Sequence, residues 1–539
     1  MLFHEAIARS LADHGVTTIF GVLGDANLYM MDSFQRQAKG RYYSVSNEAG
    51  AVLAANGYAR TSRGLGVATV THGPALTNTV TALTESVKDH TPVLLLAGDT
   101  SVVDKDNFQN IPQRAVVLAS GAGFEQVRAP HTVTQDLATA IRRAHLEGRP
   151  VVLNVPVEFQ WAEVEYEPVR PRMTGPQAVH PDPAALDVAV GIVASARRPV
   201  VLAGRGASTP TARAALLRLA ERLGAPVATT LRGKDLFRGE QFNLGIAGTL
   251  AHPVALDTIN ASDCVIAFGA GLNKWTTAEG SLLAKKRVVQ VDIDRDGINR
   301  WSTADAGVVG DAATTADAIV AWLDEAGVPA TGFASAELSD RLAGYSDNYT
   351  DRSTGETVDV RTALRRIDAA FPADRTLVLD GGRFIFNCFT MLHVPDPSAY
   401  VHTVNYGSIG LGMGNAVGAW FGAPGRPVLL VAGDGGFMLG GLAEFSTAVR
   451  HGVDLVVVIM NDGAYGAEHI QFRAKEMDPA ISTFDWPDFG PVATALGGQG
   501  FTVRNLAELD EALGAIPGRR RPMLIDIKID PDKVTMARH

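Results

Sequence analysis

Two polar turns in the last third of the chain have the residue types best suited to chemistry. One apolar run ends in the triplet Gly433–Gly435, with Asp434 at its centre, and 25 residues later a second apolar run ends at Asn461. In a parallel sheet such strand ends lie side by side at the carboxyl edge, where ligands bind. A carboxylate, an amide oxygen and free carbonyl groups are the all-oxygen ligands that Mg²⁺ favours, together with phosphate and water. Because Gly435 and Gly436 permit close approach at a helix start, the pattern predicts a site for Mg²⁺ and a diphosphate.

Each turn is common by itself, but the spacing of GDG, 25 residues and Asn resembles the diphosphate–Mg²⁺ motif of thiamine diphosphate (ThDP) enzymes. Along essentially its whole length the chain resembles the family of acetolactate synthase, benzoylformate decarboxylase, benzaldehyde lyase and pyruvate decarboxylase. The resemblance implies that Asp434, Asn461 and the carbonyl of Gly463 bind the metal. It also implies that three glycines of the first turn contact the cofactor, namely Gly433, Gly435 and Gly436.

The segment SNEAGAVLAANGYA places Glu48 in the first turn of a predicted helix, with Asn47 as its N-cap. By itself, Glu48 is explained as an acid that stabilises a helix start, worth less than about 1 kcal/mol. The resemblance implies more, because the family has a glutamate here that is hydrogen-bonded to N1′ of the aminopyrimidine. Such a carboxylate favours the imino form of the pyrimidine, which removes the C2 proton of the thiazolium ring.

Two further segments resemble parts of the cofactor site. In NYGSIGLGMGNAVG, Ile409 corresponds to the aliphatic residue that holds the cofactor in its bent shape, and backbone groups of Gly407 and Ile409 address the pyrimidine. In LDGGRF, Gly381 and Gly382 correspond to a loop that contacts the diphosphate, although the neighbouring side chains differ from those usual in the family.

Four polar residues lie where family members place groups near the substrate. Asp25 in FGVLGDANL occupies the place of an acidic group in pyruvate decarboxylase-like enzymes, and His72 in VTHGPALTN that of a histidine in benzoylformate decarboxylase. Gln109 in NFQNIPQ resembles a glutamine of acetolactate synthase and benzaldehyde lyase, and Glu468 begins the helix after the metal loop. Each residue also has a plain structural explanation, as a loop cap, a surface residue or an acid at a helix start.

The resemblance implies a lyase or transferase that acts on a 2-oxo acid or related carbonyl substrate through a thiazolium ylid and an enamine. Two protonatable groups, Asp25 and His72, favour protonation and release of an aldehyde, as in a decarboxylase. The Phe108–Gln109 pair favours carboligation, as in acetolactate synthase, and an acyloin or 2-hydroxyacyl lyase is a further alternative. The sequence leaves these reactions open.

Two other classes of protein fit the sequence less well. An NAD-dependent dehydrogenase would carry the G-x-G-x-x-G fingerprint, and the turn GRGAS is not a full match to it. A catalytically silent ThDP-binding subunit would not need Glu48, Asp434 and Asn461 together.

Near-continuous apolar runs such as PVLLLAGDT, PVVLNVP and DLVVVIMND alternate with Ala- and Leu-rich stretches along the chain. This alternation predicts an α/β fold with parallel sheets covered by helices. Breaks rich in Pro, Gly and polar residues at 165–183 and 327–359 divide the chain. We therefore predict three consecutive doubly wound parallel-sheet domains: a pyrimidine-binding domain (1–165), a central Rossmann-like domain (183–327) and a diphosphate- and Mg²⁺-binding domain (355–539). The central domain has Gly271–Lys274 where FAD-dependent relatives carry Phe-Asp-Asp-Arg, which argues against FAD.

Composition restricts the remaining properties. Of the 539 residues, 46% are hydrophobic and 20% charged, as in ordinary globular proteins, and the net charge of −10 disfavours nucleic acid as a partner. Two cysteines are too few for a disulfide framework, and no apolar run reaches the ~18 residues of a membrane span. The N-terminal residues indicate an amphipathic helix and not a signal peptide, so we expect a cytoplasmic enzyme. The resemblance implies active sites between chains, hence a homodimer or homotetramer.

Overall fold

The structure is a computed structural model that describes residues 1–169, 177–519 and 522–534. Part of the predicted linker, residues 170–176, and the end of the predicted third domain, residues 535–539, lie outside the described residues. No helix within the described ranges is both long enough and apolar enough to cross a membrane.

The described residues form two compact units. The first combines residues 1–169, 351–388 and 401–534, and the second combines residues 177–350 and 389–400. Within these ranges the first unit contains two sheets and the second contains one, and each sheet has six strands. The strand pairs given by the register are parallel, which confirms the predicted α/β fold with three parallel sheets.

The first sheet is formed by the N-terminal part of the chain. Its strands are β1 (Thr18–Gly21), β2 (Arg41–Ser44), β3 (Gly66–Val70), β4 (Val93–Asp99), β5 (Gly123–Gln126) and β6 (Val151–Pro156). The helices of this region are α1 (Phe3–Asp13), α2 (Leu28–Arg36), α3 (Glu48–Ser62), α4 (Pro74–Thr77), α5 (Val80–Lys88), α6 (Gln113–Ala119) and α7 (Val133–Glu147). The order β2-β1-β3-β4-β6-β5 reverses between β1 and β3, so the loops that follow these strands border a crevice at the carboxyl edge.

The second sheet belongs to the central unit. Its strands are β7 (Pro199–Ala203), β8 (Val227–Thr229), β9 (Asn243–Ile246), β10 (Cys264–Phe268), β11 (Arg287–Asp292) and β12 (Ala306–Val309). The accompanying helices are α8 (Pro183–Ser195), α9 (Pro210–Leu223), α10 (Pro253–Ala261), α11 (Ala312–Glu325) and α12 (Ala336–Ala343). The order β12-β11-β10-β7-β8-β9 is that of dinucleotide-binding folds, in agreement with the predicted Rossmann-like domain. That this domain lacks FAD stays a prediction.

The third sheet repeats the strand order of the first. Its strands are β13 (Thr376–Leu379), β14 (Tyr400–His402), β15 (Val428–Gly433), β16 (Leu455–Asn461), β17 (Gln499–Val503) and β18 (Met523–Lys528). The helices are α13 (Val360–Ala370), α14 (Ile385–Met391), α15 (Gly412–Gly422), α16 (Asp434–Gly436), α17 (Leu442–Arg450), α18 (Gly466–Ala474), α19 (Phe489–Ala495) and α20 (Leu506–Gly514), with a π-helical turn over Phe437–Gly441 between α16 and α17. The order β14-β13-β15-β16-β18-β17 reverses between β13 and β15, which places a second crevice where the GDG turn lies.

Helices α3 and α15 pack against each other with almost no side chain between their backbones. A Cβ atom on Gly418 would lie 1.8 Å from the carbonyl oxygen of Ala54, and one on Gly57 would lie 2.1 Å from that of Asn415. Asn56 Nδ2 donates a hydrogen bond to Asn415 Oδ1 at 2.9 Å. Only hydrogen fits at the two glycines, so this contact brings the first and third sheets together and orients the first turn of α3.

Replacement of Gly418 by Ala should therefore destabilise the protein. The added methyl group overlaps a backbone oxygen, and overpacking of this kind costs about 1–3 kcal/mol or more. The matched control is Gly191→Ala in α8, where a Cβ atom meets nothing within 4 Å and alanine is the better helix former. Chemical unfolding checks both variants; equal stability of Gly418→Ala and the wild-type protein would show that the helices are not held at this distance.

Candidate active site

The carboxyl ends of β15 and β16 are direct neighbours, with Gly433 in register with Met460. Asp434 begins α16 with 2% of its surface exposed, and its Oδ2 atom has no hydrogen-bond partner within the described chain. Asn461, also buried, accepts a hydrogen bond at Oδ1 from the N–H of Gly463 and donates from Nδ2 to Asp526 Oδ1 at 2.8 Å. The structure thus places the carboxylate and the amide of the predicted metal site on adjacent strand ends, with the amide oriented by a buried acid.

The electrostatics of this strand edge suit a cation. Burial raises the pKa of Asp434 to about 6, although backbone N–H groups, including that of Gly463, oppose the shift. Burial and the charge of Asp434 together raise the pKa of Asp462 to about 7. A divalent cation would neutralise both carboxylates and supply a partner for the unpaired oxygen, so the residues fit Mg²⁺. The carbonyl of Gly463 accepts a hydrogen bond from the N–H of Phe484 at 2.7 Å, and a carbonyl oxygen has a second lone pair that could bind a metal.

Ile409 lies between the two loops that follow β13 and β15. A Cβ atom on Gly381 would be 3.0 Å from Ile409 Cγ2, and one on Gly436 would be 3.5 Å from Ile409 Cβ. Gly407 has a φ of 82° and open space where a Cβ atom would stand, which leaves room for a ligand against the backbone. The structure therefore gathers these predicted cofactor residues at one crevice. Gly382 is in the same β13 loop, where its own Cβ position is occupied by the ring of Phe384.

Asp380 organises this crevice, although the sequence analysis did not single it out. It is buried directly after β13 and accepts hydrogen bonds from the backbone N–H groups of Gly381 (2.7 Å), Gly410 (3.1 Å) and Gly412 (3.1 Å). Burial raises the pKa of Asp380 to about 6 in spite of these donors. The carboxylate thus fixes the loop that carries Ile409. In the sequence, an acidic residue between an apolar run and two glycines is the pattern that could have identified Asp380.

Glu48 lies at the first position of α3, in the predicted first helical turn, and its side chain is half-buried. Asn47 caps the helix through a 2.7 Å hydrogen bond from the N–H of Gly50 to its Oδ1, and Asn78 Nδ2 donates to Glu48 Oε2 at 3.0 Å. The buried Glu444 of α17 accepts hydrogen bonds at Oε1 from the N–H groups of Ser46 and Asn47 at 3.1 and 3.0 Å. Glu444, which sequence reasoning missed, therefore holds the start of the helix that presents Glu48.

A second buried acid holds the loop before Ile409. Glu85 of α5 accepts hydrogen bonds from the backbone N–H groups of Asn405 and Tyr406 at 3.0 and 2.7 Å, and from Asn405 Nδ2 at 2.6 Å. Burial raises the pKa of Glu85, whereas these donors lower it. The first sheet's helices thereby position the loop that contains Gly407.

At the crevice of the first sheet the structure brings Asp25 and His72 together, with 3.6 Å between Asp25 Oδ1 and His72 Nδ1. Asp25 follows β1 and is exposed, whereas His72 follows β3 and is buried. Gln109 lies beside the same turn, because a Cβ atom on Gly73 would come within 3.0 Å of Gln109 Cβ. Three of the four predicted substrate residues therefore share one edge.

Gln113 supports that edge and was not predicted. Its Oε1 accepts a hydrogen bond from the N–H of Gly73 at 2.8 Å, and its Nε2 donates to the carbonyl of Gly98 and to Asn154 Oδ1. A buried glutamine with three strong partners fixes the turn that follows His72.

Glu468 lies in the first turn of α18, the predicted helix after the metal loop, and it is exposed. No hydrogen bond between described residues joins it to Asp25 or His72. Arg383 anchors the start of this helix, since its guanidinium donates to the carbonyl of Gly466 at 3.2 Å and also to that of Pro531 at 2.7 Å. The predicted residues thus fall into a group on the first sheet and a group on the third sheet. Hydrogen bonds among the described residues do not link the two groups directly.

Three family models match the chain in the order of its three sheets. They are the N-terminal TPP binding domain, the central domain and the C-terminal TPP binding domain of thiamine pyrophosphate enzymes, matched by residues 1–119, 186–319 and 380–527. The sulfoacetaldehyde acetyltransferase of Rhodobacter capsulatus is 28% identical over 95% of this chain and 91% of its own length. The acetolactate synthases of Arthrospira platensis and Mycobacterium bovis are 27% and 28% identical, over 98% and 92% of this chain and 94% and 82% of their own lengths.

Replacement of Asp434 by Asn should separate metal binding from folding. The pKa of Asp434 is raised in the folded state. The contribution of this residue to the free energy of unfolding is therefore fully present below about pH 4 and is lost as the pH rises through 6. Without metal, Asp434→Asn should therefore be more stable than the wild-type protein at pH 8, on the order of 1–3 kcal/mol, and no more stable at pH 4. It should also lack the increase in Tm that we expect Mg²⁺ and ThDP to produce in the wild-type protein.

Thermal unfolding in EDTA and with Mg²⁺ and ThDP measures both effects. The control is Asp374→Asn, because Asp374 is an exposed acid of the same unit, with 75% of its side chain accessible. An unchanged Mg²⁺-dependent Tm increase in Asp434→Asn would contradict the metal assignment.

Replacement of Asp380 by Asn should loosen the Ile409 loop. The amide places an N–H₂ group against backbone N–H donors, and an unpaired buried donor costs about 1–3 kcal/mol. We expect lower stability and weaker ThDP binding in a fluorescence titration, whereas Asp374→Asn should match the wild-type protein. Wild-type ThDP affinity in Asp380→Asn would show that other contacts hold the loop.

Proposed function

Because the chain belongs to the thiamine pyrophosphate enzyme family, we propose that it is an acetolactate synthase-like enzyme that uses ThDP and Mg²⁺ to act on 2-oxo acids. The reaction is non-oxidative decarboxylation, carbon–carbon ligation, or both. The observation that carries the proposal is the third-sheet crevice, where Asp434 Oδ2 is buried without a hydrogen-bond partner among the described residues and Asp380 fixes the Ile409 loop. The near full-length similarity to acetolactate synthases supports the choice of reaction class.

When bound, ThDP supplies the electron sink for breaking and forming bonds at a carbonyl carbon. In our assignment the metal is held by Asp434, Asn461 and the carbonyl of Gly463. Glu48 holds a proton at the aminopyrimidine, and Ile409 supports the bent shape. The remaining cofactor contacts are backbone groups that permit close approach: Gly381, Gly382, Gly407, Gly433, Gly435 and Gly436.

Asp25, His72, Gln109 and Glu468 are assigned to the substrate. A second candidate, a decarboxylase that releases an aldehyde, is favoured by the proximity of Asp25 and His72, because groups that deliver a proton compete with addition of a second carbonyl. Ligation is favoured by the Phe108–Gln109 pair, since the Phe108 side chain, 94% exposed, offers an apolar surface for a second substrate.

We propose that the active enzyme is a homodimer or homotetramer with active sites between chains. Val102, Val103 and Phe108 are 77%, 82% and 94% exposed in one loop next to Gln109. Exposed apolar side chains of this kind are typical of surfaces that another chain covers. Within each chain, we assign residues 1–165 to the pyrimidine, residues 183–327 to the central domain, and residues 355–539 to the diphosphate and metal.

A substrate panel tests the proposed reaction. The protein, with ThDP and Mg²⁺, is incubated with pyruvate, benzoylformate, branched 2-oxo acids and, in view of the named relatives, sulfoacetaldehyde. CO₂ release with a coupled product is expected from a ligase, whereas CO₂ release with an aldehyde alone would support the second candidate. No turnover of any acid by protein that binds ThDP would refute a 2-oxo acid substrate.

Glu48→Gln is the matched test of the cofactor assignment. It should bind ThDP but lose at least about 100-fold in kcat on every active substrate, within the range of acid–base catalysis. Glu337→Gln, an exposed change on α12, should behave like the wild-type enzyme. Wild-type turnover by Glu48→Gln would contradict the role given to Glu48.

A further inference from the structure

Thr71, a residue with no role in the assignments above, links the two acid–base groups of the first-sheet crevice. Its Oγ1 donates a hydrogen bond to Asp25 Oδ1 at 3.0 Å and lies 2.9 Å from Nδ1 of His72. Both distances are those of good hydrogen bonds, and they are shorter than the 3.6 Å between His72 Nδ1 and Asp25 Oδ1. The hydroxyl therefore mediates the contact between the carboxylate and the imidazole.

The single hydrogen of the Thr71 hydroxyl sets the direction of both bonds. A threonine hydroxyl has one hydrogen, and an ionised carboxylate accepts but does not donate. Since the hydroxyl hydrogen goes to Asp25, Nδ1 of His72 must donate to Thr71 Oγ1. Neutral imidazole carries one proton, so His72 is held with the proton on Nδ1 and a free lone pair on Nε2.

The surrounding structure is built to keep the three residues in this arrangement. A Cβ atom on Gly24 would lie 2.7 Å from Thr71 Cβ, so the loop that carries Asp25 lies directly against the threonine. The buried Asn27 accepts from the N–H of Gly24 at 2.8 Å and donates to the carbonyl of Val22 and to Thr69 Oγ1. The loop is thus fixed to β3 by more than the Thr71 contact.

The far side of the loop and the turn after His72 are held as well. Gln160 Nε2 donates to the carbonyl of Asp25 at 3.0 Å, and Gln113 accepts from the N–H of Gly73. Among the described residues, Nε2 of His72 has no hydrogen-bond partner, whereas Nδ1 has Thr71. Nδ1 is thus hydrogen-bonded within the protein, and Nε2 is available to a ligand.

We infer that Thr71 is a positioning residue that sets the tautomer of His72 and so makes Nε2 the atom that exchanges a proton with the substrate. The substrate part of this inference rests on the proposed function, whereas the tautomer is a property of the chain alone. When Nε2 carries a proton, the Nε2–H bond breaks as the proton passes to the substrate. The ring then returns to the neutral form with the proton on Nδ1. Asp25 stabilises the cationic ring through the Thr71 hydroxyl.

The tautomer is measured directly by carbon–nitrogen correlation in solid-state NMR on protein labelled with ¹³C,¹⁵N-histidine, without substrate, at a pH where His72 is neutral. His72 signals are identified as those missing from His72→Gln. We expect a protonated Nδ1 and an unprotonated Nε2 in the wild-type protein and in Thr71→Ser. Thr71→Val keeps the side-chain shape without the hydroxyl and should shift His72 to a mixture or to the other tautomer.

A proton on Nε2 in the wild-type spectrum, or an unchanged His72 in Thr71→Val, would overturn the inference. The wild-type spectrum tests the tautomer even if Thr71→Val fails to fold. Because no substrate is used, this result is independent of whether the proposed reaction is right.

Activity provides the second test once a substrate is known. We expect Thr71→Val to lose about 10-fold or more in kcat with unchanged ThDP affinity, and Thr71→Ser to keep most of the activity. Thr139→Val, an exposed change on α7, is the control. Equal loss in Thr71→Ser and Thr71→Val would show that packing, and not the hydroxyl, is what matters.

Discussion

Buried carboxylates that accept hydrogen bonds from the backbone are the interaction on which the site depends. Three such carboxylates are those of Asp380, Glu85 and Glu444. Each offsets part of the free-energy cost of its desolvation by accepting hydrogen bonds from two or more N–H groups of a loop or helix start that is distant in sequence. Asp434 differs, because one of its oxygens has no hydrogen-bond partner among the described residues and a half-buried acid, Asp462, adjoins it. The oxygen without a hydrogen-bond partner thus distinguishes Asp434, which fits a cation, from Asp380, whose two oxygens position the backbone.

Two of these acids link the first sheet to the third, one from each side. Glu85 belongs to a helix of the first sheet and holds the loop before Gly407, whereas Glu444 belongs to the third and holds the helix start of Glu48. Between them, α3 and α15 meet through glycines that leave no room for a side chain. A displacement of either sheet would therefore move groups assigned to the cofactor on the other.

The two crevices have different chemistry although their sheets share one strand order. At the third sheet, glycines and backbone N–H groups surround a pair of acids, which suits a metal and a diphosphate. At the first sheet, Asp25, Thr71 and His72 form a hydrogen-bonded chain with one ring nitrogen committed, which suits proton transfer. The same topology thus provides binding at one edge and acid–base groups at the other, as expected when function depends on the loops.

The sequence by itself determined the elements whose signal is local. Apolar runs predicted strands such as β4 and β16, because strands buried on both faces are apolar throughout, and GDG and Asn461 marked two of their ends. Short or partly exposed strands such as β2 and β17 lack that signal. The roles of Asp380, Glu444 and Thr71 were decided only by tertiary structure. Their partners come into contact only in the folded chain; Glu444 and Asn47, for example, are 397 residues apart in sequence. The periodicity of a sequence does not show which distant N–H group will donate to a buried acid.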